Sequence, residues 1–223
     1  MGDINITEIG ARVLSVFVPF LFALSFHEFA HGWMAKRKGD NTAESMGRLT
    51  LNPFAHADLL GTFILPLMGL LSGFAMFGWA KPVPVDPRNL RDPKNDMFWV
   101  AAAGPLSNLL LAFIGCVLFA LVDRFYPVIG GAATIFSAET IGTFLFGFIF
   151  INMLLCLFNL IPLHPLDGGK ILERFIPISW NRWLEENQGT LNIILIVAFV
   201  TGGFSFLATF AREIIFSTLT LLT

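Results

Sequence analysis

His27-Glu28-Phe29-Ala30-His31 sets two imidazoles and a carboxylate within five residues. On a helix, positions four apart lie about 40° from each other round the axis, so both imidazoles can reach one cation. The spacing is that of HExxH zinc hydrolases, in which the glutamate acts as general base. Bound zinc brings the pKa of water from about 15.7 to about 7, which makes hydroxide available at neutral pH. A catalytic zinc takes three protein ligands and keeps one position open. The best third candidate is Asp167, in Asn159-Leu-Ile-Pro-Leu-His-Pro-Leu-Asp-Gly-Gly169. Pro162 and Pro165 break a helix there, and Gly168-Gly169 let the backbone turn closely round the carboxylate. The plainer reading makes Asp167 an N-cap for a helix over 170–175.

These residues must be positioned in an apolar chain. Of 223 residues, 55% are hydrophobic and only 13% charged, with 25 Phe and 1 Tyr. Soluble domains carry about 25% charged residues, so this chain lacks the charge to coat a globule. Ionisable groups inside a membrane helix cost several kcal/mol and are read as functional by default. The net charge of −2 says nothing about nucleic acid, and with no basic tract to suggest it, none is expected as a partner. Cys116 and Cys156 both lie in apolar stretches and read as small core thiols.

Apolar stretches run over about 9–35, 59–78, 97–122, 140–163 and 190–214, against about 20 residues for a spanning helix. Asn5 and Glu8 resemble a capping box before the first. No positively charged region precedes that stretch, so it is expected to stay as a spanning helix. The second contains Pro66 and four glycines and lies between two basic segments. If it re-enters, eleven Lys and Arg gather on one side, against Arg12, Arg124 and Arg212 on the other. Cytoplasmic loops collect Lys and Arg, which favours re-entry over a fifth crossing. Arg48–Asn52 and Trp79–Asp86 alternate like strands, and Pro82 and Pro84 confine the latter to an edge.

The expected fold is an all-α polytopic membrane protein. It has about four spanning helices, a re-entrant element and a short β-hairpin at the membrane boundary. One membrane-embedded domain covers 1–223, with its core over about 9–175 and an extra C-terminal helix over about 190–214. The chain is expected to be a multi-pass protein of a prokaryotic cell membrane, in contact with the lipid bilayer, its active site toward the cytoplasmic side.

His27–His31, Gly104-Pro-Leu-Ser-Asn108 and Asn159–Gly169 together resemble the three signature regions of the site-2 protease family of intramembrane metalloproteases. The resemblance covers about Phe20 to Leu172 and matches the compact branch, without PDZ or nucleotide-sensing domains. It implies one Zn2+ per chain, held by His27, His31 and Asp167, with Glu28 as base. It also implies that Asn159 stabilises the oxyanion or holds substrate. Family members commonly carry proline or a small apolar residue where this chain has His164. That histidine reads either as a solvent-facing loop residue or as a group tuning the metal. His56 reads as a boundary-loop residue or a contact at the mouth of the site. Gly104 and Asn108, four apart, suggest close helix packing, with Asn108 also a candidate for substrate contact.

A helical peptide bond is shielded by its own hydrogen bond, so a transmembrane protein or peptide substrate must be extended before cleavage. The run containing Trp79, Lys81, Val83 and Val85 is the expected substrate-binding edge, by strand addition. Two other classes fit the metal site: a zinc hydrolase of a non-peptide amide or ester, and a zinc-binding scaffold or carrier. A carrier requires polar sites across the whole membrane, whereas the ionisable residues here gather at one depth.

Overall fold

The computed structural model describes residues 6–72, 78–125 and 138–222. Helix α1 begins with Ile6–Arg12, passes through a π-helical turn at Val13–Phe17 and continues as Val18–Lys38. The wide turn directly precedes Pro19, which lacks an N–H and clashes with the carbonyl four residues back. Lys36, Arg37 and Lys38 occupy the last turn, where cations complement the helix dipole. Gly39 ends the helix at φ +114, a left-handed cap that glycine adopts without penalty. The expected capping box at Asn5 and Glu8 lies outside what is described.

Helix α2 follows a single turn at Pro53–His56 and runs over Leu59–Ser72. Fourteen residues rise about 21 Å, short of the roughly 30 Å hydrocarbon core. This short apolar helix is all the structure shows of the expected re-entrant element; re-entry itself is not established by it. Helix α3 (Pro93–Phe125) is long enough to cross and to project beyond the bilayer. Helix α4 covers Ala138–Asn159, α5 Asp167–Glu173, α6 Ile178–Glu186, α7 Gln188–Val200 and α8 Ser205–Leu222. Four helices are long and apolar enough to span: Ile9–Lys38, Pro93–Phe125, Thr140–Asn159 and Ser205–Leu222. The chain is thus an all-helical, multi-pass membrane protein.

Two expectations need correction. No strand occurs among the described residues, so the β-hairpin is absent. Arg48–Asn52 and Trp79–Asp86 are irregular, and the latter is a strap whose polar groups bond to the rest of the fold. Trp79 N–H donates to Gly61 O at 3.0 Å, Lys81 N–H to His56 O at 2.8 Å and Asp86 N–H to Asp40 Oδ2 at 2.8 Å. Arg48 Nη2 donates to the carbonyls of Lys81 and Pro82. Alternation in this run reflects prolines and anchors, not a ladder. The C-terminal stretch 190–214 is likewise not one helix. It breaks after Val200, Gly202 standing at φ +78, and the span is Ser205–Leu222.

Helices α1, α3 and α4 pack on one another, and α5 docks on α3. Between α3, α4 and α8 lies a seam of Ala112, Cys116, Ile149, Met153, Ala211 and Ile215. Both cysteines are buried and unpaired, as core thiols should be. Lipid tails are as apolar as leucine, so contact among small and closely fitting residues must hold such helices together. Leu106, Leu109, Leu110 and Phe113 of α3 are exposed, the side a bilayer covers.

Asp40 fastens the end of α1 to the strap. It accepts from Thr42 N–H at 3.0 Å, from the Thr42 hydroxyl, from Asn89 Nδ2 at 3.1 Å and from Asp86 N–H. Burial opposes ionisation of this carboxyl, but those donors hold its pKa below the ordinary value. A folded pKa below the unfolded one gives stability that is complete above about pH 4 and lost as pH falls further. The thermal unfolding midpoint in detergent is therefore expected to fall on acidification below about pH 4. In Asp40→Asn that decline should be shallower, because the titrating anchor is gone.

Candidate metal centre

α1 presents His27 and His31 to α3 and Glu28 to the strap, and the break after α4 delivers Asp167 at the start of α5. Pro162 and Pro165 prevent α4 from continuing, and the chain turns tightly enough that Gly168 lies against the carbonyls of Leu160 and Ile161. Asp167 is the first residue of α5 rather than its cap. The Nε2 atoms of His27 and His31 are 3.0 Å apart, and Asp167 Oδ2 lies 3.1 and 3.2 Å from them.

The partners of the other ring nitrogens decide what this triangle is. His27 Nδ1 lies 2.7 Å from Asn108 Oδ1, and His31 Nδ1 lies 2.7 Å from Val100 O. Both oxygens only accept, so each Nδ1 carries the proton and each Nε2 offers a lone pair. The Asn108 amide cannot be turned round. Its Nδ2 donates to Ala23 O at 3.1 Å and Asn152 Oδ1 at 2.9 Å, while Asn152 Nδ2 donates to Phe148 O at 2.9 Å. Asp167 Oδ2 is buried with no hydrogen-bond partner. Three acceptors about 3 Å apart therefore face one another without a proton between them. A single proton could bridge two of the three atoms, whereas a metal cation satisfies all of them. Tetrahedral zinc with bonds of about 2.0–2.1 Å separates its ligands by about 3.3 Å, which these distances match closely. Among the described residues no other set of three His, Cys, Asp or Glu side chains converges in this way.

Gly104 explains how the imidazoles come so near α3. A Cβ there would overlap the His31 ring and crowd His27. The glycine-to-asparagine spacing is thus used twice on one helix, as clearance at 104 and as a hydrogen bond at 108.

Glu28 is buried, and its Oε2 accepts from Val83 N–H at 2.7 Å. Asn159, expected at the oxyanion, spends its amide on Leu155 O at 3.0 Å in its own helix. Asn108 is fully buried beside His27, its Oδ1 on His27 Nδ1. Of the expected substrate edge, Trp79 packs on Gly61 and Lys81 is exposed. Val83 is buried, and Val85 joins the cluster of Ala35, Leu90 and Val100. His56 is buried, bonds Thr50 O at 2.7 Å and takes no part in the metal site. His164 is buried too, with Nε2 3.0 Å from Glu173 Oε1, neither solvent-facing nor within the metal group. Asn152 and the Val100 carbonyl escaped the sequence reading. An asparagine in an apolar helix was the available signal for the first, and nothing marks a backbone carbonyl.

Outer partners of ligating histidines typically change metal affinity by 10–100-fold when removed. Asn108→Ala is expected to weaken zinc affinity by about that factor, measured by competition with a chromogenic chelator. Asn152→Ala should have a smaller effect in the same direction, because it acts only through Asn108.

Comparison with known proteins agrees with this geometry. The model of peptidase family M50 matches residues 15–202. A Bacillus subtilis protein named "Putative zinc metalloprotease YwhC" is 37% identical over 185 residues, 82% of this chain and 79% of its own. A Mycolicibacterium smegmatis protein named "Putative zinc metalloprotease Rip2" is 29% identical over 197 residues, 88% of this chain and 70% of its own. No solved structure matches the chain. The cofactor indicated by these names is zinc, and His27, His31 and Asp167 form the group able to hold it. With most of its length matched and the family's metal-binding constellation assembled in its core, the chain belongs to peptidase family M50, the site-2 protease family of zinc metalloproteases.

Proposed function

We propose that this protein is an intramembrane zinc metalloendopeptidase that hydrolyses peptide bonds within or near transmembrane segments of membrane-protein substrates. The observation that carries the proposal is three convergent lone pairs on helices of a multi-pass protein, with a buried Glu28 next in sequence to one of the ligands. His27 and His31 bind through Nε2 and Asp167 through Oδ2. When bound, zinc supplies a Lewis acid that acidifies water and polarises the scissile carbonyl.

Glu28 takes one proton from the attacking water and returns it to the departing amine nitrogen. A C–O bond forms, the C–N bond breaks, and one water is consumed. Asn159 gives one amide N–H to Leu155 O and keeps a second for the developing oxyanion, the role the family resemblance implies for it. The substrate chain approaches beside the strap, where Trp79 and Lys81 are exposed. Trp79 N–H on Gly61 O brings the chain back beside the start of α2, which supports entry and exit of 59–78 on one side. With that topology the basic residues gather near the site, which favours the cytoplasmic side of a prokaryotic membrane.

Glu28→Gln is expected to keep zinc near one per chain and to lose cleavage of a fluorogenic transmembrane peptide by a factor of about 100 or more. His27→Ala and Asp167→Ala should lose the metal itself, read by elemental analysis of protein purified without chelator. An active Glu28→Gln protein would sink the proposed base.

A further inference from the structure

Pro82 and Pro84 carry no N–H, so between Lys81 and Val85 the backbone has one donor, that of Val83. That donor meets Glu28 Oε2 at 2.7 Å, with both residues buried. Bonds from N–H to an ionised carboxylate are short and roughly twice as strong as neutral ones. Glu28 Oε1 accepts no hydrogen bond among the described residues. One oxygen of the carboxylate is held and the other is left for chemistry.

The donor is placed by the fold and not by Glu28. Upstream, Trp79 and Lys81 are tied to Gly61 and His56, and Arg48 clamps the carbonyls of Lys81 and Pro82. Downstream, Asp86 is tied to Asp40. The Val83 side chain seats against Gly32, where an added Cβ would stand 3.0 Å from Val83 Cγ1. A strap fastened on both flanks thus points its only central donor at Glu28.

We infer that the backbone N–H of Val83 is a positioning group for Glu28, fixing one carboxylate oxygen so that the other is aimed to take and return the proton. Three rotatable bonds separate that carboxylate from the helix backbone, and without the strap it would sample several rotamers. Two prolines round the donor keep neighbouring N–H groups from competing for the same oxygen. The inference rests on Glu28 acting as general base, as proposed above.

The test replaces Val83 by its α-hydroxy acid analogue through nonsense suppression, which removes the N–H and keeps the side chain. The probe is a fluorogenic transmembrane peptide. The ester chain is expected to retain zinc and KM while kcat falls about ten- to a hundred-fold, the effect of one hydrogen bond to a charged group. Val83→Ala, which keeps the donor, should lose much less. In 15N-valine-labelled wild type the Val83 amide should exchange slowly, and at least ten times faster in Glu28→Ala.

Wild-type kcat in the ester chain would overturn the inference, as would Val83→Ala falling equally far or zinc and KM failing together with kcat. Rapid exchange of the Val83 amide in the wild type would also overturn it, and that measurement needs no altered strap. An active Glu28→Gln protein removes the base reading beneath it. A dead Glu28→Gln protein beside a fully active ester chain removes only the role of Val83.

Discussion

Everything in this molecule answers to three lone pairs forced together in a medium of low dielectric. Nε2 of His27, Nε2 of His31 and Oδ2 of Asp167 converge because each imidazole is already committed through Nδ1. Without those commitments a tautomer change could place a proton in the gap and relax the site. Asn108 and Asn152 therefore do structural work that reads as electrostatics. They form a directed chain from the Phe148 carbonyl to His27, and the order of donors and acceptors permits only one tautomer. The same chain joins α1, α3 and α4, so the bundle and the metal preference are established together.

Much of this was legible in the residues. HExxH spacing, a Pro-broken Asp-Gly-Gly turn and apolar runs of spanning length point to the metal-binding group and to a multi-pass helical protein without coordinates. Less legible was anything decided by tertiary contact. Alternation over Trp79–Asp86 looked like a strand, yet two prolines and side-chain anchors from other segments hold it irregular. Asn108 could be read as a packing or a substrate residue, and only the tertiary structure shows its amide oxygen turned to a histidine on α1. The C-terminal stretch looked like one helix because Gly202-Gly203 is compatible with either a kink or a stop. The left-handed φ of Gly202 goes with a stop.

The strap shows how a membrane enzyme can hold irregular backbone beside a buried site. Unpaired N–H and C=O groups are costly where water is scarce, and such backbone is tolerated only when protein satisfies it. Proline lowers the number of donors to be satisfied. Asp40, Glu28 and the carbonyls of His56 and Gly61 accept most of the remaining N–H groups, while Arg48 donates to the carbonyls of Lys81 and Pro82. Residues that break secondary structure are, in this setting, what makes an extended segment tolerable at all.

The ligands also come from distant parts of the chain. His31 and Asp167 are about 140 residues apart in sequence, with two spanning helices and the strap between them. A metal joining them closes a very large loop, acting as a cross-link that can be undone chemically. It also imposes an order in time. While the chain is being made, the helix bearing His27, Glu28 and His31 enters the membrane long before Asp167 exists. Until α5 docks, the first helix is two histidines without a third ligand. The three-ligand group consequently cannot close until the chain has been made past Asp167.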